Sequence, residues 1–337
     1  IGMAPPNALL DCGEPGSTLR FLIPGALRVQ GEASFTGRGR LMERPLKPYE
    51  DLFREKGVAW KLEDNVLTVN GGRGYDALAL DSGAYRLPGN VSSQFFTGLL
   101  FTLPLLNGDS TLMSTTPLES RDYLEMTRQA LAAAGVTTRW ADENTLCVPG
   151  GQAYQPFTAT VEADWSQAGF WYAANFLDSQ VEIRGLDPDS AQGDKVVSEL
   201  YWRLARPGDA EIDVSGCPDL LPPLAVMAAV RSGTTCFTNA ARLRMKESDR
   251  LSTTAAALAA LGAKVHEEPD RLIIVGKPSL PGGTVDSAND HRIAMMAAIA
   301  ATGCTGPVTI RGAECVQKSY PDFWEVYRSL GGDIHVL

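Results

Sequence analysis

The strongest constraint on this chain is that it repeats. Helical runs close on a glycine four times: Leu52 to Gly57-Val58, Leu131 to Gly135-Val136, Leu258 to Gly262-Ala263, and Leu330-Gly331. Each glycine stands where a helix C-cap needs the left-handed conformation, which glycine adopts without steric cost. The first three runs lead through a short polar stretch into a strand: Val66-Leu67-Thr68-Val69, Thr145-Leu146-Cys147-Val148 and Leu272-Ile273-Ile274-Val275. The interval from Gly135 to Gly262 is close to twice its neighbours, which predicts two units there, with a degenerate copy around Tyr201 and Ala205.

A second element recurs, a strand running through a polar turn into an apolar helix. It is found at Gly16-Ser17-Thr18-Leu19-Arg20, Ser92-Ser93-Gln94, Asp164-Trp165-Ser166-Gln167, Pro218-Asp219 and Asn289-Asp290-His291-Arg292. Simple N-capping by Ser, Thr, Asp or Asn would explain any one of them. Five in one chain point further, because the free N–H groups and dipole of a helix start attract anions. Two similar domains of three units each would need six starts. The expectation is therefore a sixth unit before Ile1, and the opening Ile1-Gly2-Met3-Ala4-Pro5-Pro6 reads as the middle of something.

A length of 337 residues favours two domains over one. The expected boundary near Glu162 gives residues 1–161, with two units, and 162–337, with three. No apolar run reaches the length of a membrane span, and none has the flanks of a signal peptide. A net charge of −10 argues against a nucleic-acid or membrane partner, although a local cluster of Arg and Lys can still hold a small anion. The six cysteines are scattered without a CxxC pair, which suits reduced cytosolic thiols and argues against a zinc site.

Four segments carry candidate chemistry. Asp11-Cys12-Gly13-Glu14-Pro15-Gly16-Ser17-Thr18-Leu19-Arg20-Phe21 is a glycine-bearing turn into a helix, open to close approach by a ligand. Lys246-Glu247-Ser248-Asp249-Arg250, read as helix, places Lys246 and Arg250 on one face with Glu247 beside them. A solvated, salt-bridged helix face explains that pattern equally well. Asn289-Asp290-His291-Arg292 sits at the mouth of a wholly apolar helix, where His291 could serve only as a cap. Gln317-Lys318-Ser319-Tyr320-Pro321-Asp322 offers a lysine before a Pro-started helix.

Taken together and in order, residues 13–21, 43–45, 91–95, 120–123, 218–219, 246–250, 289–292 and 318–323 resemble the motif series of the 5-enolpyruvylshikimate-3-phosphate synthase family. The resemblance covers essentially the whole chain. It implies an α/β fold of two domains, each an inside-out barrel of repeated βαβαββ units with helices buried in the middle. It also implies transfer of the carboxyvinyl group of phosphoenolpyruvate to the 5-hydroxyl of shikimate 3-phosphate, with no metal or organic cofactor. Only these small-molecule partners are implied, in a monomeric, cytoplasmic enzyme of the route to chorismate and the aromatic amino acids.

Roles follow position by position from the same resemblance. Gly16, Arg44, Gln94, Arg250, Arg292 and Lys318 would hold phosphoenolpyruvate. Ser92, Ser93, Gln94, Ser120, Tyr123 and Lys246 would hold shikimate 3-phosphate, with Asp219 on its hydroxyls and Arg121 added for its phosphate. Asp219, Glu247 and His291 are the candidate proton-transfer groups. Arg242 departs from the pattern, standing where some members have Asn. The family's Gly-Ser-Lys-Ser-type turn has no counterpart here, in keeping with the unit expected before Ile1. On that ground residues 1–337 alone are expected to show negligible activity. Two other readings stay open: an inactive ligand-binding remnant, and a relative of the UDP-N-acetylglucosamine enolpyruvyl transferases, whose catalytic cysteine loop has no match in this sequence.

Overall fold

A computed structural model describes residues 9–71 and 80–336, so the opening run Ile1 to Pro6 lies outside the described residues. The chain divides into two compact units, Ile1–Thr160 and Val161–Leu337.

The first unit contains the same arrangement twice. Strand β1 (Leu9–Asp11), helix α1 (Gly16–Gln30), β2 (Glu32–Thr36), α2 (Lys47–Glu55), β3 (Ala59–Glu63) and β4 (Val66–Asn70) form one βαβαββ unit. The next is β5 (Ala84–Leu87), α3 (Gln94–Leu100), β6 (Ser110–Ser114), α4 (Arg121–Ala133), β7 (Arg139–Trp140) and β8 (Thr145–Val148). The sheets run β1-β2-β4-β3 and β5-β6-β8-β7, each with a parallel first pair and antiparallel remainder. A parallel pair needs a crossover, which α1 and α3 supply, whereas the last two strands of each unit form a hairpin.

Helix α1 buries Leu19, Ile23 and Leu27, spaced to share one face, and packs against α3. Its other face leaves Leu22 43% and Val29 50% exposed. The Tyr49 hydroxyl, wholly buried on α2, donates to the Phe95 carbonyl at 2.7 Å and ties the two repeats together.

In the second unit come α5 (Trp165–Phe176) and α6 (Val197–Ala205), then a full copy: β9 (Ala210–Asp213), α7 (Leu221–Val230), β10 (Thr234–Thr238), α8 (Arg250–Ala260), β11 (Lys264–Glu267) and β12 (Leu272–Val275). A last copy has β13 (Gly283–Asp286), α9 (His291–Ala301), β14 (Val308–Arg311) and α10 (Phe323–Ser329). The full copy's sheet, β9-β10-β12-β11, repeats the order of the first unit, and β13 pairs parallel to β14.

Helices α5, α7 and α9 pack against one another. Helix α7 reads Leu-Pro-Pro-Leu-Ala-Val-Met-Ala-Ala-Val and is buried over residues 221–229. Helix α9 is buried over residues 291–300. A helix apolar on every side has no surface to give to water, so it takes the middle and the sheets lie outside. Each Leu, Ile or Met fully buried there contributes roughly 1.5–3 kcal/mol.

The repeat expected from the glycines is present. Gly57, Gly135, Gly262 and Gly331 all have positive φ, from 77° to 98°. The following N–H returns to the helix each time: Val58 to Phe53, Val136 to Leu131, Ala263 to Leu258 and Gly332 to Tyr327. The degenerate copy is α6, which ends on Arg206 in extended conformation instead of on a glycine.

The reading of residues 246–250 as helix is corrected. Helix α8 begins only at Arg250, because the Asp249 carboxylate accepts from Ser252 N at 3.1 Å and caps it there, and Lys246 is extended. Lys318 likewise ends a 3-10 turn, Ala313–Lys318, and α10 starts at Phe323, two residues after Pro321.

Candidate active site

In the second unit the helix starts bring charge together. Asp219 lies in the 3-10 turn Pro218–Leu220 that leads into α7, whose Pro222 and Pro223 occupy a first turn that needs no N–H partners. Its side chain makes no cap, and so the N-capping explanation does not hold for it. Instead Asp219 Oδ1 accepts from Lys246 Nζ at 3.0 Å and from Arg250 Nη1 at 2.8 Å. Arg292 Nη2 lies 3.5 Å from Asp219 Oδ2, and Arg292 Nη1 donates to the Asp219 carbonyl at 3.3 Å. Three cations from two separate segments thus surround one carboxylate.

The salt-bridged solvent face is excluded for Arg250, whose guanidinium is 1% exposed. Arg250 Nε and Nη2 donate to the two Asp290 oxygens at 2.9 and 3.2 Å, and Nη2 also donates to Glu247. Four of its five N–H bonds therefore meet carboxylates. Asp290 in turn caps α9, accepting from Arg292 N at 3.0 Å, and receives the Ser248 hydroxyl at 2.9 Å. Arg250 is thus the keystone that locks the start of α8 to those of α7 and α9. Lys318 Nζ reaches the Asn289 carbonyl at 2.7 Å, beside the same helix mouth.

Burial and charge set the protonation states. Burial pushes the Asp219 carboxyl upward, but Lys246, Arg292 and Arg250 outweigh it and hold the group well below the usual carboxylate range. Burial likewise opposes ionisation of Asp290, and Arg250 reverses that effect. Lys246 moves the other way, lowered first by burial against the pull of Asp219. His291 is pushed down to about 4 by burial and then by Arg292 and Arg250, so its imidazole is neutral at neutral pH. Its Nδ1 is buried and has no hydrogen-bond partner among the described residues.

The first unit gathers a second set. Gly16 opens α1, and a Cβ there would fall 2.8 Å from Arg20 Nη1 and 3.0 Å from Arg44 Cζ. Arg20 Nη1 donates to Gln94 Oε1 at 2.7 Å, Nη2 donates to the Pro45 carbonyl at 3.2 Å, and the guanidinium lies 4.8 Å from the Phe95 ring centre. Gly16, Arg44 and Gln94 are therefore together, around an arginine to which the sequence reading gave no role.

Ser92 Oγ accepts from Gln94 N at 3.3 Å, and Ser93 is buried at the start of α3. Ser120, at φ +56°, precedes α4 and its carbonyl accepts from Tyr123 N at 3.2 Å. Helices α3 and α4 lie side by side, with the Thr97 and Thr127 hydroxyls 3.0 Å apart. Arg121 is held elsewhere, 4.0 Å over the Trp140 ring and bonded to the Glu143 carbonyl at 3.3 Å.

Sequence reasoning missed Ser166, Asp194 and Asp290 as members of the second cluster. Ser166 and Asp290 stood inside motifs taken as helix starts. Asp194, in Gln192-Gly193-Asp194, carried no periodic or capping signal, and only the tertiary fold reveals it.

The family model for EPSP synthase (3-phosphoshikimate 1-carboxyvinyltransferase) matches residues 2–327. The 3-phosphoshikimate 1-carboxyvinyltransferase of Clostridium kluyveri is 45% identical over 96% of this chain and 79% of its own length. That of Clostridium novyi is 44% identical over 97% and 78%. Among solved structures, EPSP synthase from Acinetobacter baumannii superposes with a TM-score of 0.76 at 26% identity, covering 98% of this chain and 80% of that one. The enolpyruvyl transferase NikO from Streptomyces tendae shares the fold, with a TM-score of 0.68 at 18% identity. The architecture and these matches define a carboxyvinyltransferase of α/β fold. Within that class, the chain belongs to the EPSP synthase family.

Proposed function

We propose that this protein transfers the carboxyvinyl group of phosphoenolpyruvate to the 5-hydroxyl of shikimate 3-phosphate and releases phosphate, on the route to chorismate and the aromatic amino acids. The observation that carries this reading is the convergence of Lys246, Arg250 and Arg292 on Asp219 at the mouth of buried helices, in a chain of this family. Both substrates are multiply anionic, and charged hydrogen bonds to phosphate and carboxylate are the strong ones.

In the second unit, Arg292, Lys318 and the remaining N–H of Arg250 serve phosphoenolpyruvate, and Lys246 serves shikimate 3-phosphate. In the first unit, the backbone at Gly16 with Arg44 and Gln94 serves phosphoenolpyruvate. Ser92, Ser93, Ser120 and Tyr123 serve shikimate 3-phosphate, and Arg121 adds to them by leaving the Trp140 ring.

The chemistry needs one group to take the hydroxyl proton and another to protonate the methylene carbon; as phosphate leaves, the methyl so formed must give a proton back, so that the transferred group is again a vinyl. At rest Asp219 is a weak base, because three cations stabilise its charge. Bound anions draw Lys246 and Arg292 toward themselves, and Asp219 then gains proton affinity where the 5-hydroxyl arrives. Glu247, bonded to Arg250, is assigned the second transfer. Neutral His291 has no proton to give at neutral pH beyond its single N–H, which leaves it a hydrogen-bonding role. The enzyme acts as a cytoplasmic monomer. The test is phosphate release by protein expressed from its complete reading frame. Release should require both substrates together; release from phosphoenolpyruvate alone, or none with both present, would contradict the assignment.

A further inference from the structure

Asp194 is a carboxyl in an expensive position. It is 3% exposed, in the 3-10 turn Gly193–Val196. That turn is fastened to the start of α5: the Gln192 side chain accepts from Trp165 N at 2.8 Å and donates to the Ala163 carbonyl at 2.9 Å. Ser190 Oγ also accepts from Gln192 N at 2.9 Å. Among the described residues Asp194 Oδ2 accepts one hydrogen bond, from the Ser166 hydroxyl, and Oδ1 has no hydrogen-bond partner. A buried carboxyl with a single partner lowers stability, and an apolar side chain would fill that space more favourably.

What the arrangement gains is orientation. The Ser166 proton is committed to Asp194, so the lone pairs of the hydroxyl are turned outward, and one accepts from Arg292 Nη2 at 3.3 Å. Arg292 also reaches Asp219, its carbonyl at 3.3 Å and its Oδ2 at 3.5 Å, so Ser166 adds an acceptor from a different segment to the same guanidinium. From this geometry we infer that Ser166 and Asp194 are positioning residues, a relay that fixes the Arg292 guanidinium in the orientation that receives phosphoenolpyruvate. The inference rests on the proposed function for the ligand's identity, not for the relay itself.

The relay also makes a distinctive stability prediction. The charged groups acting on Asp194 are Asp219 before α7, Lys246 before α8 and Arg292 on α9. Of the helices packed on its turn, α5 carries no charged side chain, and Glu199 and Arg203 of α6 are exposed. Lys195, next to it, reaches the Pro188 carbonyl at 3.4 Å. Burial, then Asp219, raises Asp194 to about 6. For a carboxyl raised on folding, the penalty is absent below the unfolded value, grows as pH rises toward the folded value and is complete above it.

The experiment compares wild type, Ser166→Ala, Ser166→Thr and Asp194→Asn. It measures phosphoenolpyruvate affinity by calorimetry, steady-state constants, and Tm between about pH 5 and pH 8. Ser166→Ala and Asp194→Asn should weaken phosphoenolpyruvate binding, and raise its KM, by about tenfold or more, with the KM for shikimate 3-phosphate changed less than about twofold. Ser166→Thr keeps the hydroxyl and should restore most of the affinity. Asp194→Asn should melt no lower than wild type at about pH 8, a margin that shrinks below pH 6, whereas a purely structural residue would lower Tm. Phosphoenolpyruvate binding equal to wild type in both variants overturns the relay, as does equal weakening toward both substrates. Wild type that binds phosphoenolpyruvate without transferring it would defeat the proposed function and leave the relay to be judged by the binding data. Wild type that binds none overturns both.

Discussion

Asp219 owes its state to its neighbours. Its folded value lies below that of a free carboxyl, so it stabilises the fold above the unfolded value near 3.8, and that stability is lost as pH falls through the folded value. Replacing it with Asn leaves Lys246 and Arg292 without their carboxylate, while Arg250 keeps Asp290 and Glu247. Asp219→Asn should therefore cost about 3 kcal/mol in urea unfolding at neutral pH, a cost that shrinks only as pH falls below the unfolded value near 3.8 toward the folded value, because the unfolded chain takes up that proton first. In turnover it should lower kcat by about 10²-fold or more. Near-normal kcat would remove Asp219 from the chemistry. Gly16 makes a different point. An added Cβ meets only the flexible ends of Arg20 and Arg44, so Gly16→Ala should leave Tm nearly unchanged while raising the KM for phosphoenolpyruvate by about tenfold, as two guanidinium groups shift. A large fall in Tm with unchanged KM would show that Gly16 matters to packing and not to the ligand.

The helix starts differ in how much rests on them. Asp249 caps α8 and also accepts from Arg244 at 2.9 Å, on a partly exposed surface. Asp290 caps α9 at 0% exposure and holds the nearly buried Arg250 through both oxygens. Asp249→Ala should accordingly cost about 1 kcal/mol and Asp290→Ala about 3–5 kcal/mol by chemical denaturation; equal costs would show that Arg250 is not the keystone described here. The same contrast explains what the sequence made legible. The glycine C-caps, the strands after them and the apolar helices α7 and α9 are local patterns, and they could be read directly. The 246–250 segment misled because a spacing of four mimics a helical face, while the Asp249 cap that ends the turn looks like one more charge in the run. The bonds joining Lys246, Arg250 and Arg292 to Asp219 span tens of residues. Only the family's motif series indicated them, and Ser166 and Asp194 had no such guide.

At the scale of the whole molecule, the net charge of −10 gives anionic substrates no general attraction, so binding depends on local balance. In the second unit, Asp194, Asp219, Glu247 and Asp290 stand against Lys246, Arg250, Arg292 and Lys318, close to neutrality if all are charged. An arriving anion raises the proton affinity of every one of these groups, and Asp194, already near 6, responds most easily. Sulfate, which carries no titrating proton at neutral pH, should therefore bind with uptake of a fraction of a proton, seen by calorimetry as an enthalpy that depends on buffer ionisation. A buffer-independent enthalpy would mean that the cluster does not titrate with its ligand. The central claim is that the cations gathered at Asp219 are the anion site of an EPSP synthase. Its most direct test compares kcat/KM for phosphoenolpyruvate in Arg292→Met and Arg244→Met. Both arginines belong to the second unit, but Arg244 is bound to Asp249 and Glu267, not to Asp219. Arg292→Met should lose about 10²-fold or more, and Arg244→Met less than about threefold; comparable losses, or an active Arg292→Met, would contradict the account.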